Sequence, residues 1–204
     1  MTEAGWEAAW RPLGERIGTE IDEPGIRYGP DPVETGAIRR WLEVLEFDCA
    51  LHRDADVARA HGWAEVIAPY TSMWTFILPA VWEPDERPTF DGGSRNARPW
   101  RSAISDDVFP DAPPTSGMFG TGISIEFERP LYVGERAGSG PRRLLDCVPK
   151  ETRVGRGAFM TFDRHVYAVG GRGAASDEPE PICRVEAQLY LYDPIPPAAG
   201  GDRV

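Results

Sequence analysis

Hydrophobic residues are spaced in two ways along this chain, at helical intervals up to residue 82 and in alternation from residue 122 on. Trp6, Ala9, Trp10 and Leu13 recur every three or four positions, which predicts a short helix over Glu3–Leu13 with its Trp pair docked on the rest of the fold. Ile17–Tyr28 alternates loosely and is interrupted at Pro24–Gly25, so it predicts an irregular strand at most. Pro30 and Pro32 keep the next stretch extended, and Thr35 is placed to cap a helix. Ile38, Trp41, Leu42 and Leu45 follow at i, i+3, i+4 and i+7, with Arg39, Arg40 and Glu43 opposite them: an amphipathic helix of about three turns. Asp54–His61 reads as a short helix or turn ended by Gly62, and Val66–Pro69 as a brief buried link. Pro69 and the Thr71–Ser72 pair signal a helix from Thr71 to Val81. Met73, Trp74, Phe76, Ile77 and Leu78 make it apolar on nearly every side, hence interior.

Between residues 83 and 121 the pattern stops. Pro84, Pro88, Pro99, Pro110, Pro113 and Pro114, with several glycines and mixed charges, predict an insertion of short turns, lid-like rather than a linker. After it Ile123, Ile125 and Phe127 alternate with polar residues, Arg143–Pro149 forms a second strand, and Ala158–Val169 a third. In that third strand Met160, Phe162, Arg164 and Val166 oppose Phe159, Thr161, Asp163, His165 and Tyr167. A polar tip, Gly170–Pro181, leads to a last strand in which Cys183, Val185, Ala187, Leu189 and Leu191 share a face. Four successive strands with turn signals predict an antiparallel meander covered on one face by the apolar helix. The expected fold is α+β in one domain, 1–204: first strand and helices in 15–82, insertion in 83–121, strands in 122–192, tail in 193–204.

Composition narrows the partners. With 204 residues and a net charge of −11 the chain is a poor match to nucleic acid or an anionic membrane, which are bound by clustered Lys and Arg. Lys150 is the only lysine, so a Schiff-base mechanism is not expected. Cys49, Cys147 and Cys183 are widely spaced and lack CxxC, which suggests neither a disulfide framework nor a zinc site, and no metal or cofactor is expected. The N-terminus has no secretion-signal pattern and the apolar run at Met73–Trp82 is too short to span a bilayer, so the expected location is the cytoplasm.

Several stretches together resemble one family. LHRDADVARAHGWAEVIAPYTSMW is similar to the NPL(H/Y)RD…ARA.GYGG.IAPPTF run of MaoC-like dehydratases and hydratases, particularly their N-terminal-domain type. IEFERPLYVGERAGSGPRRLLDCVPKETRVGRGAFMTF and CRVEAQLYLY resemble that family's strands, and ERIGTEIDEPGIRYGPDPVETGAIRRWLEVL its opening strand and helix. The resemblance covers most of residues 15–192 apart from the insertion. It implies a hotdog fold, an antiparallel sheet wrapped on a long central helix, and acyl-CoA or acyl-carrier-protein thioesters as ligands. It also implies pairing with a second hotdog, as a homodimer or heterodimer, and reversible addition of water to a 2-enoyl thioester.

That reaction needs one group to activate water and another to deliver a proton to the α-carbon. Active members of the family use Asp and His in a G-D-x-N-P-(L/I)-H loop. Aligned on His52, this chain reads EFDCALH: Phe47 stands where the Asp belongs, Cys49 and Ala50 replace Asn and Pro, and Asp48 is one position too close. Asp48 and His52 are the candidate acid–base pair, and Pro69, Tyr70, Thr71, Ser72 and Trp74 the candidate substrate-binding residues. The backbone N–H groups that open the helix would hold the thioester carbonyl. Two alternatives keep the fold: a non-catalytic hotdog subunit shaping the acyl pocket of a catalytic partner, and a thioesterase. His61 reads as a helix-end residue, His165 with Asp163 as part of a polar face, Cys49 as a small packed residue, and Arg95, Arg98 and Arg101 as possible contacts to CoA phosphates.

Overall fold

In a computed structural model, residues 5–90, 99, 109–171 and 178–195 are described. The lid-like character expected of the insertion, the three arginines within it, and most of the tail lie outside them.

A 3-10 turn at Glu7–Trp10 runs into α1 (Arg11–Gly14), and both Trp6 and Trp10 are buried as expected. α2 (Thr35–Leu45) has the predicted length, but Glu34 rather than Thr35 stands at its N-cap. Its core face is narrower than the spacing implied: Ile38 and Leu42 are buried, while Leu45 is 55% exposed. Asp54 caps α3 (Ala55–Ala60), its carboxylate accepting from the backbone N–H of Asp56 and Val57. The helix expected from Thr71 to Val81 is shorter. It is a 3-10 turn, Tyr70–Ser72, followed by α4 (Met73–Ile77). Leu78 leaves it in an extended conformation because Pro79 follows, and a pre-proline residue is disfavoured in the helical region. The long central helix is thus reduced to little more than two turns.

The sheet has six antiparallel strands: β1 (Arg27–Tyr28), β2 (Gly117–Phe127), β3 (Arg136–Ser139), β4 (Arg143–Thr152), β5 (Gly155–Val169) and β6 (Glu180–Pro194). Their order is β1-β3-β5-β6-β2, and β4 also pairs with β5. β3 and β4 lie end to end along one edge of β5, Ser139 opposite Val166 and Arg143 opposite Asp163. Pro141 breaks the line between them, because it has no N–H to give the ladder. The simple meander is therefore corrected. β2, the first long strand, pairs with β6, the last, since the chain between β2 and β4 is occupied by β3, which is itself laid on β5.

Side chains on one face of this sheet form two buried clusters. Ile38 and Leu42 of α2 and Met73, Phe76 and Ile77 of α4 pack on Val166, Ile182 and Val185. Trp6, Trp10 and Leu13 pack on Leu144, Met160, Phe162 and Leu191. Fully burying such a side chain contributes roughly 1.5–3 kcal/mol, which secures the short helices that propensity alone would not. Gly29 sets the approach of the first strand to α4: a Cβ there would lie 2.0 Å from the carbonyl oxygen of Phe76. An antiparallel sheet curled around α4 is the hotdog arrangement. No helix among the described residues is long and apolar enough to cross a membrane.

Candidate active site

The loop after α2 is shaped by its ending. Glu46 adopts a left-handed conformation (φ 50°), and Phe47 N–H returns to the carbonyl of Leu42 at 3.0 Å. The chain then runs extended to a 3-10 turn at Ala50–His52. His52 is buried, with Nδ1 2.8 Å from the carbonyl oxygen of Ile67. A carbonyl only accepts, so Nδ1 carries the proton of that bond and Nε2 of the neutral ring keeps a free lone pair. Ile67 is fixed in turn: it bridges to Tyr132, and the neighbouring Ala68 N–H donates to Leu131 O at 2.7 Å.

Asp48 does not share this environment. Its side chain is 86% exposed and ion-paired with Arg53. The neighbour of the His52 ring is instead Phe47, with ring centroids 5.8 Å apart. The residue at the usual Asp position thus sets an aromatic ring, not a carboxylate, beside the imidazole.

The substrate-binding candidates do gather. Pro69 and Ser72 are buried, Tyr70 is 41% exposed with its ring 4.4 Å from that of Phe127, and Trp74 is half-buried. Ser72 is spent on structure, its hydroxyl donating to the carbonyl of Pro69 at 2.7 Å and its N–H to the same oxygen at 2.8 Å. The N–H groups of Tyr70 and Thr71 have no acceptor among the described residues. They open beside a narrow apolar crevice lined by Ala68, Pro69, Tyr70, Met73 and Phe127, with Arg129 at its margin. Arg129 is tied to the buried Glu135 (3.0 Å) and to Glu180 (3.2 Å).

The lesser candidates are accounted for structurally. His61 is exposed, its Nδ1 2.9 Å from Val57 O at the end of α3. Asp163 is not paired with His165; Arg143 and Arg184 both hold its carboxylate, at 2.9 and 2.7 Å. Burial pushes that carboxyl up, but the hydrogen bonds from the two guanidinium groups outweigh it and leave it below the usual aspartate range. Burial pushes the Cys147 thiol up to about 11 and that of Cys183 to about 12, so neither supplies a thiolate near neutrality. No group of three or more metal-ligating side chains occurs among the described residues. What sequence reasoning passed over is Arg164. The alternation had already put it among apolar side chains, and it lies against Trp74.

Comparison with known proteins bears on the family and the fold. The family model described as "FAS1-like, dehydratase domain region" matches residues 17–176. A probable enoyl-CoA hydratase alpha subunit from Thermomonospora curvata is 25% identical over 147 residues, 71% of this chain and 42% of that protein. The chain therefore spans about two-fifths of the length of that relative. Among solved structures, the ChsH1-ChsH2 complex from Mycobacterium tuberculosis superposes with a TM-score of 0.59 at 18% identity, over 97% of this chain and 96% of that one. A MaoC-like dehydratase superposes at 0.50 with 16% identity, over 89% of this chain and 43% of the other. With its hotdog fold and a dehydratase-region match over most of its length, the chain belongs to the MaoC-like hydratase/dehydratase family.

Proposed function

We propose that this chain is one hotdog subunit of a hetero-oligomeric acyl-thioester hydratase/dehydratase, shaping the acyl pocket while a partner hotdog supplies the acid–base pair. The observation that carries this reading is the exchange at the loop: Phe47 sits against His52, and Asp48 is turned out to Arg53. A buried imidazole without a carboxylate beside it lacks half of the machinery that hydration requires. The N–H groups of Tyr70 and Thr71 would still donate to the thioester oxygen of a ligand held over the helix start.

The partner would add to β2. This strand pairs with β6 on one side, and among the described residues nothing pairs with its other edge. Met118, Phe119 and Ile123 along it are 45%, 41% and 57% exposed. A long apolar edge strand is a pairing surface that a solitary protein normally blunts. Relatives point the same way: the T. curvata protein is a probable alpha subunit, and the superposed M. tuberculosis structure is a two-protein complex.

A second reading, in which this chain is itself catalytic through Asp48 and His52, draws support from the Ile67 bond, which leaves Nε2 of His52 free to take or give a proton. Crotonyl-CoA hydration separates the two. The isolated chain is expected to be inert, to gain turnover with a hotdog partner that carries an intact motif, and to keep it within about twofold after His52→Ala. Turnover by the isolated chain that is lost in His52→Ala would overturn the subunit reading in favour of the catalytic one. Release of free CoA thiol with crotonate, in place of a 3-hydroxyacyl-CoA product, would make it a thioesterase.

A further inference from the structure

One arginine stands where the strand pattern calls for an apolar residue. β5 sends Met160, Phe162, Val166 and Ala168 to the face that carries both core clusters, all of them buried, and Arg164 projects between them. Its guanidinium carbon is 5.1 Å from the centroid of the Trp74 ring, and its Nε is buried without a hydrogen-bond partner. No carboxylate among the described residues is ion-paired with it.

Asp22, which acts on Arg164 through space, is committed elsewhere. It accepts from Arg142 three times, from the backbone N–H (2.9 Å), Nε (2.8 Å) and Nη2 (2.6 Å). Arg142 immediately precedes β4 and lies over the rings of Phe109 and Phe162, at 5.1 and 5.5 Å. Arg27 adds a further positive charge. Burial, and then the charge of Arg142, bring Arg164 down to about 10, so it is still a cation at neutral pH. Arg142 and Arg164 thus have one aspartate between them, and the exposed Arg27 adds to the positive field. A half-buried cation with no anion is costly, and an anion from outside would relieve it.

The setting says which anion. Trp74 lies four residues beyond Tyr70 on the same run of helix, about 6 Å along its axis from the N–H groups that would take a thioester oxygen. Trp74 packs on the cluster that holds Met73, Phe76 and Val166, apolar surroundings that suit an acyl chain rather than a nucleotide. We propose that Arg164, stacked on Trp74, recognises a carboxylate at the far end of the acyl group, so that the ligand is the thioester of a dicarboxylic acid. This rests on the acyl-thioester reading. A planar guanidinium held by an aromatic ring presents its N–H edge for bidentate binding of such a group.

The test is calorimetric titration of the full chain, alone and with its partner hotdog, by adipoyl-CoA, hexanoyl-CoA and free adipate. Wild type is compared with Arg164→Gln and Arg164→Met, and thermal melts establish that both variants fold. Adipoyl-CoA is expected to bind about tenfold or more tighter than hexanoyl-CoA, a preference that falls to about unity in both variants while hexanoyl-CoA is held as before. Equal binding of the two thioesters by wild type, or a preference that survives both substitutions, overturns the proposal and leaves the thioester reading standing. Equal weakening of both thioesters in the variants puts a CoA phosphate on Arg164 and overturns it too. If no thioester binds, the thioester reading fails and free adipate decides alone: binding lost in both variants upholds a carboxylate site, and no binding to wild type removes it.

Discussion

Asp163 offers the cleanest test of how charge holds this sheet together. Its side chain is 4% exposed, and it accepts from Arg143 Nε and Nη2 at 3.2 and 2.9 Å and from Arg184 Nε and Nη2 at 2.9 and 2.7 Å. It thereby clamps β4 to β5 and β5 to β6. In Asp163→Asn the charge goes but the shape and one acceptor remain. Breaking a fully buried pair costs about 3–5 kcal/mol. Here the guanidinium groups can turn to water, so the penalty at neutral pH is about 2 kcal/mol. The pH dependence fixes the cause. The folded carboxyl lies below its ordinary value, so between that lowered value and the unfolded value of about 3.9 the unfolded chain binds more protons. The charge contribution is complete above the unfolded value and is lost as pH falls through the folded one. Asp22 is lowered too, despite its burial, by Arg142, but it titrates in both proteins and cancels from the difference. Urea melts followed by Trp fluorescence at about pH 7 and about pH 2.5 should show the gap between wild type and variant narrow in acid. A gap of the same size at both pH values would mean that shape, not charge, sets the cost. No gap at neutral pH would mean that the clamp contributes nothing.

Other expectations follow from burial and edge pairing. Ile38→Ala should lower stability by about 2–5 kcal/mol in a urea melt, whereas Val44→Ala, on a residue 84% exposed in the same helix, should change it by under about 0.5 kcal/mol. Gly29→Ala pushes a Cβ against the Phe76 carbonyl and should destabilise by about 2 kcal/mol or more in the same assay; an unchanged midpoint would show that the first strand is not pressed onto α4. Ile123→Lys should leave the melt of the isolated chain within about 0.5 kcal/mol but abolish co-elution with a hotdog partner, since it charges the open edge of β2.

What the sequence revealed follows from how local its causes are. α2 was legible because its buried residues recur within a few positions of one another, and α3 because Asp54 caps it from the adjacent position. α4 was overread. Its composition is apolar throughout, and the stop comes from Pro79 acting on the conformation of the residue before it. β3 was missed because Arg136–Ser139 has no alternation: three of its four residues are buried, and Gly138 is needed where Ile26 and Tyr28 press in, at 2.7 and 2.8 Å from a would-be Cβ. β2 starts five residues before the alternation at Gly122, because Gly117, Gly120 and Gly122 break the pattern around Met118 and Phe119, although the segment is held on β6 by its backbone bonds and by Phe119 against Tyr190 and Tyr192. Its choice of β6 as neighbour depends on residues 56 to 75 positions away, which no local pattern carries.

The candidate site divides along the same line. That the loop at His52 and the start of α4 lie near one another is set by the link Val66–Pro69, which bonds to His52 on one side and to Leu131–Val133 on the other. The sequence showed the register slip at Asp48, but not which way the loop would resolve it. The structure resolves it through Arg53, which directly follows His52 and draws Asp48 outward, while the extended chain at residues 47–49 brings Phe47 to the imidazole. An exposed ion pair contributes little by itself. The ring of the half-exposed Phe47 takes the place beside His52 that the family loop gives to a carboxylate. The departure from the family loop is thus an exchange of neighbours at His52, an aromatic ring in place of a carboxylate, while the start of α4 keeps the backbone N–H groups of Tyr70 and Thr71 open.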